Sequence, residues 1–108
     1  MPTRSVTVFF EDGEYAGLEV ELRVNVDMDF YFEALAWEEL TDADEIRAYS
    51  RRFAEKTLVS WNLVDDAGAP VPATPAEFTT RFEPYAIGLV IGKWLEQVGR
   101  VAGPLPPA

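Results

Sequence analysis

The sequence contains no cysteine and no histidine. The first absence excludes disulfides, thiolate zinc sites and thiol nucleophiles. The second removes the commonest general base near neutral pH and the commonest transition-metal ligand. Basic residues are scarce: nine Lys and Arg stand against nineteen Asp and Glu, for a formal net charge of −10. Such a balance repels nucleic acid and anionic membrane and favours basic partners. Long apolar runs are also missing. The longest, Ala86 to Gly92, falls far short of the roughly 20 residues that cross a bilayer. No apolar run follows Arg4, so no secretory leader is expected, and the chain should be soluble and stay where it is made.

What remains is globular in composition. Of 108 residues, 48% are hydrophobic, which predicts one domain (residues 1–103) and a flexible proline-rich tail at 104–108. The charge is segregated. Residues 1–45 hold thirteen acids against Arg4 and Arg23, giving −11; residues 46–108 hold six acids against seven bases, giving +1. The acidic half reads either as a solvated face or as an electrostatic docking surface.

Val6, Val8 and Phe10 alternate with Thr7 and Phe9, and Leu18, Val20, Leu22, Val24 and Val26 alternate with Glu19, Glu21, Arg23 and Asn25. Period-two alternation with one wet face predicts two strands, joined by a loop at 11–17 into an antiparallel hairpin. Residues 27–37 read as a helix capped by Asp27 or Asp29, with Phe30, Leu35 and Trp37 as core candidates. Phe30, Tyr31 and Phe32 cannot all face one way on a helix, so at least one should meet a second surface or a partner. A second helix opens on the acids Asp42, Asp44 and Glu45 and carries Arg47, Arg51, Arg52 and Lys56 in later turns, an order that suits the helix dipole. Ile46, Tyr49 and Phe53 mark its buried stripe. Those four bases form either a phosphate-binding face or a solvated helix laced with ion pairs, and the overall charge favours the second.

The stretch Trp61 to Glu77 organises the rest. Residues 58–63 favour a third strand. Asp65 to Gly68 form a turn, with Gly68 free to take positive φ. Pro70 and Pro72 remove two backbone donors and hold the chain extended. Thr74, Pro75 and Glu77 compose a helix start: Thr74 as cap, Pro75 at the first helical position, Glu77 reaching back to the capping amide. A short helix ends before Pro84, which starts another. There Tyr85, Ile87, Val90, Ile91, Trp94, Leu95, Val98 and Val101 give the longest apolar stripe, with Gly88 and Gly92 read as a close-packing pair and Gly99 or Gly103 as its cap. The predicted fold is α+β: a small N-terminal antiparallel hairpin or sheet followed by a mainly helical bundle of about four helices.

A tryptophan strand, an acidic turn with glycine, then Pro70-x-Pro72-x-Thr74-Pro75-x-Glu77 and a closing apolar helix resembles the tail assembly chaperones of long-tailed bacteriophages. The opening Val6 to Val24 and the ending Val101 to Pro106 are similar to the same family, so the likeness spans most of the chain. The aromatic run Phe30 to Phe32 departs from it. The resemblance implies a non-enzymatic protein of the host cytoplasm, absent from the mature virion. It would bind the tape measure protein, keep it soluble and promote assembly of tail tube subunits around it, with the tail tube protein a further partner. The alternatives are a structural part of the tail or head–tail junction, and an acidic inhibitor that mimics nucleic acid.

The residues offer little catalytic chemistry. A calcium loop starting at Asn25 would have Phe30 where glycine is required and Ala36 where glutamate is required. Ser5, Ser50 and Ser60 have no histidine to activate them. No catalytic, metal or cofactor site is expected, and neither nucleic acid nor membrane is expected as a partner. Three tryptophans, four tyrosines and seven phenylalanines are many for a chain of this size. Aromatics are enriched where proteins meet, so Tyr31, Tyr85 and Trp94 are the candidate partner-binding residues. A homo-oligomer is compatible with the composition.

Overall fold

The computed structural model describes residues 4–11 and 13–102. The architecture is α+β: a three-stranded antiparallel sheet with helices on one face. Strands β1 (Ser5–Phe9), β2 (Glu19–Arg23) and β3 (Leu58–Trp61) lie in the order β1-β2-β3. Four helices follow the hairpin: α1 (Met28–Leu35), α2 (Ala43–Thr57), α3 (Pro75–Arg81) and α4 (Pro84–Ala102). β3 follows directly on α2, without an intervening loop.

The alternation decides the sheet's two faces. Val8, Phe10, Leu18, Val20, Leu22 and Val24 are buried beneath the helices, whereas Phe9 and Glu19 point to solvent. Val8 opposes Val20 and Thr7 opposes Glu21 across the first pair. The outer face is polar at its centre. Glu21 accepts hydrogen bonds from the hydroxyls of Ser5 (2.5 Å) and Ser60 (3.0 Å), which hold its carboxyl below the usual range. Both hydroxyls favour the charged form by donating to it.

Aromatic rings fill the core between sheet and helices. Trp94 of α4 is fully buried and meets Phe53 edge-on at 5.2 Å and Phe30 edge-on at 5.8 Å, while Phe30 stacks on Phe53 at 6.1 Å. Edge-to-face contact sets the positive rim of one ring against the negative face of another. The Trp94 indole N–H donates to the Arg23 carbonyl at 2.7 Å, tying α4 to the end of β2. On α2 the buried residues Ser50 and Thr57 donate to the carbonyls of Ile46 and Phe53, both at 2.7 Å, so neither hydroxyl enters the core unpaired.

The turn after β3 forms as its residues dictate. Asp65 Oδ1 accepts from the amides of Ala67 and Ala69, both at 2.9 Å, and Gly68 has φ +82°. Pro70 bridges back to Val64, and Val71 donates to the Leu63 carbonyl at 3.0 Å, so the proline segment is pinned against the strand end. The Trp61 indole donates to the Val71 carbonyl at 2.7 Å, and its ring lies 5.4 Å from Phe82. Pro72 accepts from the Thr74 amide, and the Thr74 hydroxyl caps α3 by accepting from the Glu77 amide at 3.2 Å, with Pro75 in the first turn.

Four expectations are corrected. The Glu77 side chain does not return to the capping residue; it pairs with Arg81 one turn on, at 2.7 Å. Leu35 is exposed, not core. Gly88 and Gly92 are no close-packing pair: a methyl at Gly88 would sit 3.8 Å from the Trp37 indole nitrogen, and one at Gly92 would meet nothing. Gly99 lies inside α4, which runs on to Ala102. The side chain of Val101, the cap at Gly103 and the tail at 104–108 lie outside the described residues.

Candidate functional site

Helix α1 is short and carries two apolar faces. Asp27 caps it, its carboxylate accepting from the Phe30 amide at 2.7 Å. Side chains step about 100° per residue around a helix. Phe30 and Ala34 therefore share one face, and both are buried against α2 and α4. Met28, Phe32 and Leu35, spaced by four and three, share the opposite face and remain 63%, 56% and 51% exposed. Tyr31 bridges the two: it is half-buried against the core, and its ring lies 6.0 Å from that of Phe32. Exposed apolar residues scattered singly are ordinary, but a contiguous row on one helix is the kind of patch that marks an interaction surface.

The setting of the row is acidic. Between Asp27 and Leu40 the chain has Asp27, Asp29, Glu33, Glu38 and Glu39 and no Lys or Arg. Asp29 and Glu33 edge one flank of the row. Glu33 is held by Arg52 of α2, with nitrogen and oxygen 2.9 Å apart. Beside this pair runs a groove of about 380 Å³ lined by Ala36, Leu40, Ala48 and Tyr49 together with Glu33 and Arg52. The Tyr49 hydroxyl is buried there without a hydrogen-bond partner. Burial, with the Glu33 carboxylate adding to it, pushes this phenol well above its ordinary value. Trp37 covers Tyr49 at 5.6 Å and closes the inner end of α1.

The three candidate aromatics sit in three different settings. Tyr31 belongs to the α1 patch. Tyr85, at the start of α4, is 72% exposed and borders a cleft of about 360 Å³ with Phe10, Tyr15, Leu89 and Lys93. Trp94 is a core residue with no exposed surface, so it meets no partner while the domain is folded. Its indole N–H is satisfied inside and its ring fills the centre of the fold. Of the patch residues, sequence reasoning leaves Met28 aside, places Leu35 in the core, and names Phe32 only within the run of which one member should meet a second surface. Their signal was present: apolar positions at 28, 30, 31, 32 and 35 are too many for one face of a short helix.

The bases of α2 form no convergent phosphate site. Arg51 lies 3.6 Å from Glu55 and Arg52 pairs with Glu33. Among the described residues, no three Asp or Glu side chains converge in a way that would hold a metal ion, and no helix is long and apolar enough to cross a membrane. The described surface offers an apolar row, acids beside it and a groove. Compared with known proteins, the chain matches no family model, no curated protein and no solved structure.

Proposed function

We propose that this chain is a tail assembly chaperone of a long-tailed bacteriophage, a non-enzymatic module that binds the tape measure protein and keeps it soluble until tail tube subunits assemble around it. The observation that carries the reading is the α1 patch: Met28, Phe32 and Leu35 exposed in a row, bordered by carboxylates. The turn-and-cap sequence of Trp61 to Glu77 adds the family resemblance. A long chain rich in apolar helical stripes aggregates through those stripes. A small acidic domain that lays an apolar row on each stripe removes it from water, and its charge makes neighbouring complexes repel. Tyr31 supplies an amphipathic ring at the margin of the contact, and Tyr85 is the further candidate on a separate surface.

The proposed setting is the host cytoplasm, with release before the particle is complete. The test is co-expression with the long tail-length protein of the same phage, followed by soluble-fraction assay and pull-down. Co-purification and rescue of solubility by the wild type, lost in a Met28→Ser/Phe32→Ser/Leu35→Ser variant that still folds, are the expected result. A long partner that stays insoluble alongside well-folded wild type refutes the chaperone role. Mass spectrometry of purified virions separates it from a permanent tail component, which would be found in the particle.

A further inference from the structure

We infer that the groove between α1 and α2 seats an amphipathic helix of the partner whose apolar stripe is flanked by Lys and Arg. The inference rests on the reading of α1 as the binding surface, and it names the chemistry that this surface selects.

The apolar row and the groove are continuous. The Ala36 amide donates to the Phe32 carbonyl at 3.2 Å, so Ala36 sits one turn on from Phe32 and carries the exposed face of α1 past the row. Ala36 and Leu40 then form one wall of the groove. Glu45, Ala48, Tyr49 and Arg52 form the other; spaced by three and four, they share one face of α2. An alanine on each wall leaves room that a larger side chain would fill. Ala36 and Ala48 are exposed, and Leu40 and Tyr49 are half-buried, so the groove opens to solvent. The backbone amides and carbonyls of both walls are used within their own helices, which leaves an extended strand no ladder to join. A helix brings its own backbone already paired and presents anchors at i, i+4 and i+7 to such a trough.

Charge decides which helix. After the five acids between Asp27 and Leu40, the chain adds Asp42, Asp44 and Glu45, and no Lys or Arg occurs from Asp27 to Glu45. Asp27 and Asp42 are engaged as caps. Asp29, Glu38, Glu39 and Glu45 are exposed and have no Lys or Arg partner among the described residues. Arg52, the one base among the described residues lining the groove, is already held by Glu33. Lys and Arg beside the partner's stripe would therefore find carboxylates on both helices, at Asp29 on α1 and at Glu45 on α2. An acidic helix with the same stripe would meet like charge at short range. Exposed ion pairs contribute little singly, so the apolar stripe holds the partner while charge selects it and speeds its arrival.

Two designed peptides of about 18 residues, long enough to form a helix alone, test this on the full chain. They share one leucine stripe, flanked by Lys in the first and by Glu in the second. Fluorescence anisotropy of the labelled peptides should show micromolar binding of the Lys-flanked helix, at least about tenfold tighter than the Glu-flanked one. Raising salt from about 50 mM to about 500 mM should narrow that gap severalfold. Ala48→Gln sets a larger neutral side chain in the groove and should weaken the Lys-flanked helix by about tenfold. Ala48 is exposed, so the melting temperature of the variant should match the wild type. Equal affinity for the two helices, or binding indifferent to Ala48→Gln, overturns the proposal. The same variant separates it from the chaperone reading. A tape measure protein kept soluble by Ala48→Gln as well as by the wild type sinks the groove and leaves the chaperone role standing. A Lys-flanked helix that seats in the groove, beside a tape measure protein that stays insoluble, does the reverse.

Discussion

Phe30 and Phe32 are two positions apart on one helix, and their replacement by alanine should have opposite consequences. Phe30 is 1% exposed and touches the rings of Phe53, Trp94 and Tyr49 at 6.1, 5.8 and 6.5 Å. Its removal leaves a hole bounded by rigid aromatic rings that cannot collapse far, so the loss should fall at about 3–5 kcal/mol. That is a large part of the roughly 5–15 kcal/mol that holds a domain of this size together. At about 4–8 °C per kcal/mol, it lowers the melting temperature by some 12 °C or more. Phe32 is over half exposed. Full burial of such a ring contributes about 1.5–3 kcal/mol, so its partial burial contributes about 1 kcal/mol. The better helix propensity of alanine returns roughly 0.5 kcal/mol of this. The net change for Phe32→Ala should stay within about 0.5 kcal/mol, while partner binding is lost. Urea unfolding followed by tryptophan fluorescence measures both. If Phe32→Ala cost more than about 2 kcal/mol, or Phe30→Ala less than about 1, α1 would be docked with its other face inward and the patch would not exist.

Further outcomes follow from single contacts. Trp94→Phe removes the donor to the Arg23 carbonyl and leaves that carbonyl unpaired, so a loss of about 2–4 kcal/mol is expected in the same unfolding assay. Thr74→Ala should cost about 1 kcal/mol through the lost cap, whereas Glu77→Gln should change stability by under about 0.5, because the Glu77 carboxylate meets exposed Arg81 and not the cap. Tyr49→Phe should be neutral or stabilising at pH 7 by up to about 1 kcal/mol, since the buried hydroxyl has no partner to lose. The same residue sets an alkaline limit. Its folded-state pKa lies above the ordinary value of 10.0, so the stability it confers is complete below pH 10 and is lost as pH rises beyond it. A chemical-denaturation series from pH 9 upward should show a decline of at most about 1.4 kcal/mol per pH unit from this group, absent in Tyr49→Phe.

The parts of the fold written in local chemistry were legible in the sequence. The hairpin alternation, the Asp27 and Thr74 caps, the acidic start of α2 and the turn at Asp65 to Gly68 each depend on residues within a few positions of one another. What was not legible depends on where distant elements lie. The frequency of aromatics at interfaces points to Trp94 as a contact residue. It lies midway along the buried row Ile87, Val90, Ile91, Trp94 and Val98, and the position of that row was the better guide. Tyr85 extends the same row in sequence but stands at its exposed end. The aromatic run on α1 signalled a second surface, yet which ring would face outward is decided by α2 and α4, and nothing within the run itself chooses Phe32. Glu77 had two partners within reach; the Arg81 guanidinium offers a full charge one turn away, and it took the carboxylate that the capping amide would otherwise have used.

The central claim is that α1 presents the surface a helical partner covers, and amide hydrogen exchange tests it most directly. The wild-type chain would be compared alone and in complex with an apolar helical segment of the tape measure protein. Slowed exchange concentrated in residues 28–40, with the outer strands and α3 unchanged, is the predicted result. Protection confined to the outer face of the sheet or to the start of α4 near Tyr85, with α1 exchanging as freely as before, would contradict it.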